Sequence, residues 1–250
     1  MAEATILQAV PRLDAGGSEQ AAVEIAAALA RAGARALVAT EGGRMATALA
    51  DVSGEMVPLP LACKNPLTLY LNARRLARLI ETRNVDLVHA RSRAPAWSAL
   101  LAARQTGRPF VTTYHGAYAS PGPFKNFYNS VMARGDLVIA NSEYTARLIA
   151  ARHGTPRERI RVIYRGIDPA RFSPDAVSEE RLARLRAAWG VREGQPVVLQ
   201  AARLTSWKGQ KLTIAAAEEL RRQGQLDEAV FVLAGDAQGR DDYRKELERA

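Results

Sequence analysis

The sequence predicts an α/β fold: a doubly wound parallel sheet followed by the opening of a second sheet of the same kind. Three observations carry this. Short runs that are apolar on both faces alternate with longer amphipathic stretches, as in a parallel sheet covered by helices on each side. The connections follow a strand–helix–strand order, for which right-handed crossovers are the rule. The alternation breaks once, around Gly166–Ser178, and then restarts.

Thr5–Val10 reads as the first strand. Ser18–Arg31 follows as a helix with Ala22, Ile25, Ala26 and Leu29 on its apolar face, Ser18 as a candidate N-cap and Gly33 as its stop. Ala34–Thr40 is a second strand. Leu67–Arg83 is a helix with Leu69, Leu76, Leu79 and Ile80 inward and Arg74, Arg75, Arg78 and Arg83 outward. Val85–Ala90 is a strand, Pro95–Thr106 a helix and Pro109–Thr113 a strand. Asp136–Ala140 is a strand, Glu143–Arg152 a helix and Arg159–Tyr164 a strand.

Clustered Gly166, Pro169 and Pro174 mark a linker. Beyond it come a helix at Glu179–Trp189, a strand at Pro196–Ala201, a helix at Gln210–Gln223, a strand at Ala229–Ala234 and a helix at Asp241–Arg249. The expected organisation is a first domain over 1–168, a linker with its helix over 169–193, and the start of a second domain over 194–250.

Composition narrows the function classes. The 250 residues are 48% hydrophobic, enough for a packed core and too many for a disordered chain. The single cysteine, Cys63, rules out an internal disulfide and a cysteine-based zinc site. His89, His115 and His153 have no metal-ligand spacing. No run of about 18 apolar residues is present, and Met1–Leu7 lacks the basic start and apolar run of a signal peptide. A reduced, cytoplasmic compartment is the expectation.

The net charge of +9 rests on 35 Lys and Arg against 26 Asp and Glu, and 30 of the 35 are arginine. The arginines are scattered, and the motifs of nucleic-acid readers are missing, so no nucleic-acid partner is expected. Arginine's planar fork suits phosphates, and an anionic membrane surface is another outlet for such charge. Ordinary solvated helix faces account for many of them.

Three short motifs fall where the chain leaves a strand. Gly16-Gly17-Ser18-Glu19 lets backbone approach a ligand at a helix N-terminus, or simply makes a tight turn. Thr113-Tyr114-His115-Gly116 puts an imidazole at a strand's carboxyl end, where such folds bind ligands. A structural role for His115 is the alternative; His89, inside its strand, reads as structural and His153 as surface. Ala202-Arg203-Leu204, with Lys208-Gly209 close behind, places two cations where they can clamp a diphosphate, or stand as surface charges. A nicotinamide-binding glycine fingerprint with its downstream acid does not fall in place.

Together with Val88-His89-Ala90-Arg91-Ser92, Val162-Ile163-Tyr164-Arg165-Gly166-Ile167-Asp168 with Phe172 and Pro174, and Ala234-Gly235-Asp236, these segments resemble GT-B glycosyltransferases of the retaining family 4, of the group 1 type. The resemblance covers nearly the whole chain. It implies two Rossmann-like domains, the second incomplete, moving a sugar from a nucleotide-sugar donor to an acceptor with retention. No metal and no other cofactor are implied.

Carried over by motif, His115, Arg203 and Lys208 would be catalytic. Gly16, Gly17, Arg203, Lys208 and Gly235 would meet the donor phosphates or nucleotide. Arg91, Ser92 and Tyr118 would meet a lipid-linked or saccharide acceptor. Envelope glycolipid, lipopolysaccharide or exopolysaccharide synthesis is the implied setting. The basic Leu67–Arg83 helix and the Tyr118–Tyr128 loop suggest a peripheral place on the cytoplasmic face of the inner membrane, at anionic lipid. A non-catalytic fragment that binds acceptor without a complete donor site is the alternative.

Three departures stand out. Arg165 replaces the usual asparagine before Gly-Ile-Asp, and Ala202 the usual glycine before Arg203. The downstream Glu-x7-Glu motif does not occur, with Glu246-Leu247-Glu248 the nearest look-alike. That motif belongs to a part of the second domain expected after Ala250.

Overall fold

The computed structural model describes residues 4–14, 16–119, 122–225, 229–239 and 241–250. The chain separates into two units, Met1–Gly166 and Ile167–Ala250.

Unit 1 is built on seven strands: Thr5–Ala9 (β1), Arg35–Thr40 (β2), Glu55–Pro58 (β3), Leu87–Ala90 (β4), Phe110–Tyr114 (β5), Leu137–Ala140 (β6) and Ile160–Val162 (β7). They lie in the order β3-β2-β1-β4-β5-β6-β7, every pair parallel. The chain winds outward from β1 in one direction and from β4 in the other. The β1/β4 boundary is therefore the topological switch point, where ligands collect outside the carboxyl ends of the strands.

The helices are Gly17–Arg31 (α1), Ala46–Asp51 (α2), Pro66–Thr82 (α3), Arg93–Thr106 (α4), Pro123–Ser130 (α5) and Glu143–His153 (α6). Strand alternation sends neighbouring side chains to opposite faces. Ala36 and Val38 join Val10, Ala22, Val23, Ala26 and Leu49 on the α1 and α2 side. Leu37 and Ala39 join Leu7, Leu76, Ile80, Val88, Phe110 and Ile149 on the other. Small residues on α4, among them Ala94, Ser98, Ala99, Ala102 and Ala103, are buried and let it lie close to α3. Ser98 Oγ donates to the Leu69 carbonyl at 2.8 Å across that contact.

Capping chemistry sets several helix ends. Asn65 Oδ1 accepts from Leu67 N at 2.9 Å, and Pro66 opens α3. Ser142 Oγ accepts from Thr145 N at 3.1 Å at the start of α6, which stops at Gly154 in the left-handed region. Ser18, expected as an N-cap, lies inside α1; Gly16 holds the cap position, and Ser18 Oγ instead donates to Glu19 Oε2 at 2.6 Å. The Tyr118–Tyr128 stretch, read as a loop, contains most of α5, entered through Gly122 and Pro123.

Unit 2 opens with the short helix Pro169–Phe172 (α7), capped by Asp168 Oδ1 accepting from Ala170 N at 3.0 Å. It lies in the stretch read as linker. Glu179–Trp189 (α8), Val197–Ala201 (β8), Gln210–Arg222 (α9), Val230–Ala234 (β9) and Asp241–Arg249 (α10) follow. β8 and β9 pair in parallel from Val197↔Val230 to Ala201↔Ala234, the strand–helix–strand order of the first unit begun again.

Candidate functional site

In unit 1 a cavity of about 210 Å³ opens where the strands end. Arg91 follows β4, Thr113 and His115 come from the end of β5, Asn141 follows β6, and Arg165 follows β7. Glu24 on α1 completes the polar wall, and Ile25, Ile139 and Ile163 supply much of the apolar part.

Arg91 is 2% exposed. Its Nη1 donates to Gln8 Oε1 at 3.4 Å, while its Nε is buried without a hydrogen-bond partner. Gln8, buried in β1, also donates from Nε2 to the Ala22 carbonyl at 3.0 Å, so one amide ties β1, α1 and the arginine together. Burial, then the nearby Arg165 charge, lowers the Arg91 pKa to about 10. The guanidinium stays charged at neutral pH.

His115 Nδ1 accepts a 2.7 Å hydrogen bond from Arg165 Nη2, and Arg165 Nη1 donates to the Gly17 carbonyl at 2.6 Å. Asn141 Nδ2 donates to the His115 carbonyl at 3.1 Å, and Asn141 Oδ1 accepts from Thr145 Oγ1 at 2.8 Å. Burial, then the charges of Arg91 and Arg165, pushes the His115 pKa down to about 3. The imidazole is neutral in the physiological range and offers one donor and one acceptor.

The expected site residues of this unit separate. Arg91 and His115 share the cavity. Gly17 joins it through Arg165, and a Cβ there would collide with Arg165 Nη1. Gly16, with φ 155°, lies under the Glu19 carboxylate. Ser92 caps α4 by position and is not among the cavity's lining residues. Tyr118 is also outside that lining. Its ring packs on Tyr114 with centroids 4.5 Å apart and lies under Arg93 at 4.3 Å. Burial raises its pKa to about 12.

The other histidines have structural partners. His89 Nε2 lies 2.7 Å from Thr113 Oγ1 in the buried sheet. His153, read as surface, is half-buried, and its Nε2 lies 3.3 Å from the Tyr114 hydroxyl. Glu24 and Arg165 on the cavity wall, and Gln8 behind Arg91, are not singled out by the sequence motifs; Arg165 carries one signal, its departure from the asparagine usual at that position.

In unit 2, Arg203 and Lys208 both stand exposed on the loop between β8 and α9. They flank Trp207, with the Lys208 ammonium 4.5 Å and the Arg203 guanidinium 6.0 Å from its ring centroid. Two glutamine side chains brace the loop: Gln210 Nε2 donates to the Arg203 carbonyl and Gln200 Nε2 to the Lys208 carbonyl, each at 2.8 Å. Gly209, φ 81°, turns the chain into α9. Gly235 has a packing reason of its own, since a Cβ there would run into the Ala202 carbonyl.

Among the described residues, no group of three or more His, Cys, Asp or Glu side chains is placed to hold a metal ion, and no helix is long and apolar enough to cross a membrane.

The sequence profile of Glycosyltransferase Family 4 matches residues 15–171, and that of Glycosyl transferases group 1 matches residues 183–250. The GDP-mannose-dependent alpha-(1-6)-phosphatidylinositol monomannoside mannosyltransferase of Mycolicibacterium smegmatis is 31% identical, over 69% of this chain and 46% of that protein. The D-inositol 3-phosphate glycosyltransferase of Xylanimonas cellulosilytica is 27% identical, over 94% of this chain and 61% of that protein. The chain thus spans roughly half the length of these curated relatives. A glycosyltransferase structure from Rickettsia africae superposes with TM-score 0.83 and 32% identity over 100% of this chain and 65% of that one. Anabaena HepE in complex with UDP and glucose gives 0.77 and 27%, over 98% and 64%.

Proposed function

The chain belongs to Glycosyltransferase Family 4, and from that premise we propose that it takes part in moving a sugar from a nucleotide-sugar donor to a saccharide or lipid-linked acceptor, with retention at the transferred carbon. The observation that carries this reading is the pair Arg203 and Lys208 on one braced loop at the end of β8.

Transfer breaks the bond between the anomeric carbon and the donor diphosphate and joins that carbon to an acceptor oxygen. Negative charge grows on the departing diphosphate. Fixed cations at that position stabilise the transition state more than the ground state. Arg203 is assigned the forked hydrogen bonds and Lys208 the point charge. Gly235 belongs to the same assignment, because it lets the β9 end run close to Ala202. The reaction is read as metal-independent, with these cations in the role a divalent ion plays in other transferases.

The cavity of unit 1 is assigned to the substrate side, with His115 and Arg91 as contacting groups, and the Gly16-Gly17 turn is tied to it through Arg165 on the Gly17 carbonyl. Two guanidiniums in its wall suit an acceptor with a phosphate or other anionic group. That accords with the phosphatidylinositol and inositol-phosphate substrates named for the two relatives.

The setting is read as envelope glycolipid or polysaccharide synthesis at the cytoplasmic face of a membrane. Leu67, Tyr70 and Leu71 are exposed on α3 together with Arg74, Arg75 and Arg78, and Phe124 and Phe127 are exposed on α5. Aromatic and aliphatic groups beside arginines suit an anionic lipid surface.

Titration calorimetry with UDP, GDP and their monophosphates tests the donor assignment. Diphosphates should bind the protein better than monophosphates, and Arg203→Ala or Lys208→Ala should weaken diphosphate binding by about tenfold or more. Unchanged affinity in both variants would overturn it.

A further inference from the structure

Arg165 leaves β7 and reaches back to two loops. Its Nη1 donates to the Gly17 carbonyl at 2.6 Å and its Nη2 to His115 Nδ1 at 2.7 Å. A guanidinium has donors only. The hydrogen bond to Nδ1 therefore requires a bare lone pair there, and the proton of a neutral ring must sit on Nε2. That Nε2 is buried and makes no hydrogen bond of ordinary geometry.

We propose that Arg165 is a positioning residue that locks His115 in the Nε2–H form, so that the bare Nδ1 stays on the guanidinium and the ring on the cavity wall keeps one fixed tautomer. An asparagine at position 165 has both a donor and an acceptor and would not dictate the tautomer; arginine does. The inference deepens the reading of this cavity as a substrate site, while the tautomer itself does not depend on that reading.

The charges around the ring agree. Arg91 approaches from the end of β4 and Arg165 from the end of β7, and both disfavour a second proton on His115. His89, in β4, is held neutral by burial and by Arg91. Glu24 on α1 is the carboxylate on the cavity wall, and a hydrogen bond with the Arg91 backbone acts the other way on the ring. Burial and the two guanidiniums prevail, with the ring titrating at about 3. The ring's backbone is fixed separately, through Asn141 Nδ2 on the His115 carbonyl. Loss of Arg165 should therefore change the proton's place more than the loop's place.

Nitrogen-15 NMR of histidine-labelled protein reads this directly, with His115 assigned by its loss in His115→Gln. In the unsubstituted protein His115 should show a protonated Nε2 and a bare Nδ1, with no titration between pH 8 and about pH 5. Arg165→Met and Arg165→Asn should show both tautomers and a raised midpoint, still below that of a free imidazole because burial and Arg91 remain. Arg165→Lys, which retains a donor, should keep the Nε2–H form. A protonated Nδ1 in the unsubstituted protein would overturn the proposal even if the variants failed to fold. So would an unchanged tautomer in folded Arg165→Met. Neither result depends on sugar transfer, so failure of the proposed function and failure of this proposal are distinguishable.

Discussion

His89 in β4 and Thr113 in β5 share a 2.7 Å hydrogen bond between Nε2 and Oγ1 at the centre of the seven-stranded sheet. Burial, then the Arg91 charge, lowers the His89 pKa to about 3. His115 is lowered to about the same value. Between 6.5 and about 3 the unfolded chain binds protons on these rings and the folded chain does not. Stability must then rise with pH across that window and fall as pH drops through it. Each ring contributes a slope of up to about 1.4 kcal/mol per pH unit. Urea unfolding at pH 7, 6, 5 and 4 checks this, and His89→Gln should flatten the profile. A stability independent of pH from 7 to 4 would refute it.

Gly235 sits where a Cβ would meet the Ala202 carbonyl, a backbone atom that cannot swing aside. Gly235→Ala should destabilise unit 2 by about 1–3 kcal/mol, the usual cost of overpacking. Gly166→Ala, where a Cβ meets nothing within 4 Å, is the control. Equal unfolding midpoints for the two variants would show that β9 does not need its glycine.

Trp207 reports on the cation loop. Lys208 holds its ammonium 4.5 Å from the indole centroid. A diphosphate that recruits Lys208 and Arg203 should draw that charge off the ring and change its fluorescence. The change should track nucleoside diphosphate concentration and vanish in Trp207→Phe. A signal that persists there would place the binding elsewhere.

Lipid binding can be separated from substrate binding. Anionic vesicles should co-sediment the protein, and neutral vesicles should not. Replacing Arg74, Arg75 and Arg78 together by glutamate should release it, each arginine near the surface contributing about 1 kcal/mol. Equal sedimentation with both vesicle types would remove α3 from the proposed membrane face.

In the first unit, the legibility of strands followed burial. β1, β2, β4, β5 and β6 are apolar on both faces because helices cover both faces, so each reads as a strand in isolation. β3 does not, because Glu55, Met56 and Pro58 lie exposed on the sheet's edge and four residues carry no period. α5 is hidden by its composition: Gly122 and Pro123 announce a turn, yet they are also how a helix can begin. Ser18 has the composition of a cap, but the helix starts one residue earlier.

The cavity wall was legible where a strand's end supplied a single residue, as with Arg91 and His115. It was not legible where residues far apart must meet. Arg165 lies 50 positions from His115 and 148 from Gly17, and only the parallel sheet brings their loops to one rim. Tyr118 shows the converse, a residue adjacent to the motif in sequence whose ring is spent on Tyr114 and Arg93.

The most direct test of the account is transfer itself, read by mass analysis after the protein is incubated with a panel of nucleotide sugars and of lipid-linked, phosphorylated and neutral saccharide acceptors. The expected result is an acceptor product heavier by one glycosyl unit, release of the nucleoside diphosphate, no loss of rate on addition of a metal chelator, and no product from the Arg203→Ala, Lys208→Ala double variant. Failure of every nucleotide sugar to bind or be consumed, or equal transfer by the double variant, would contradict it.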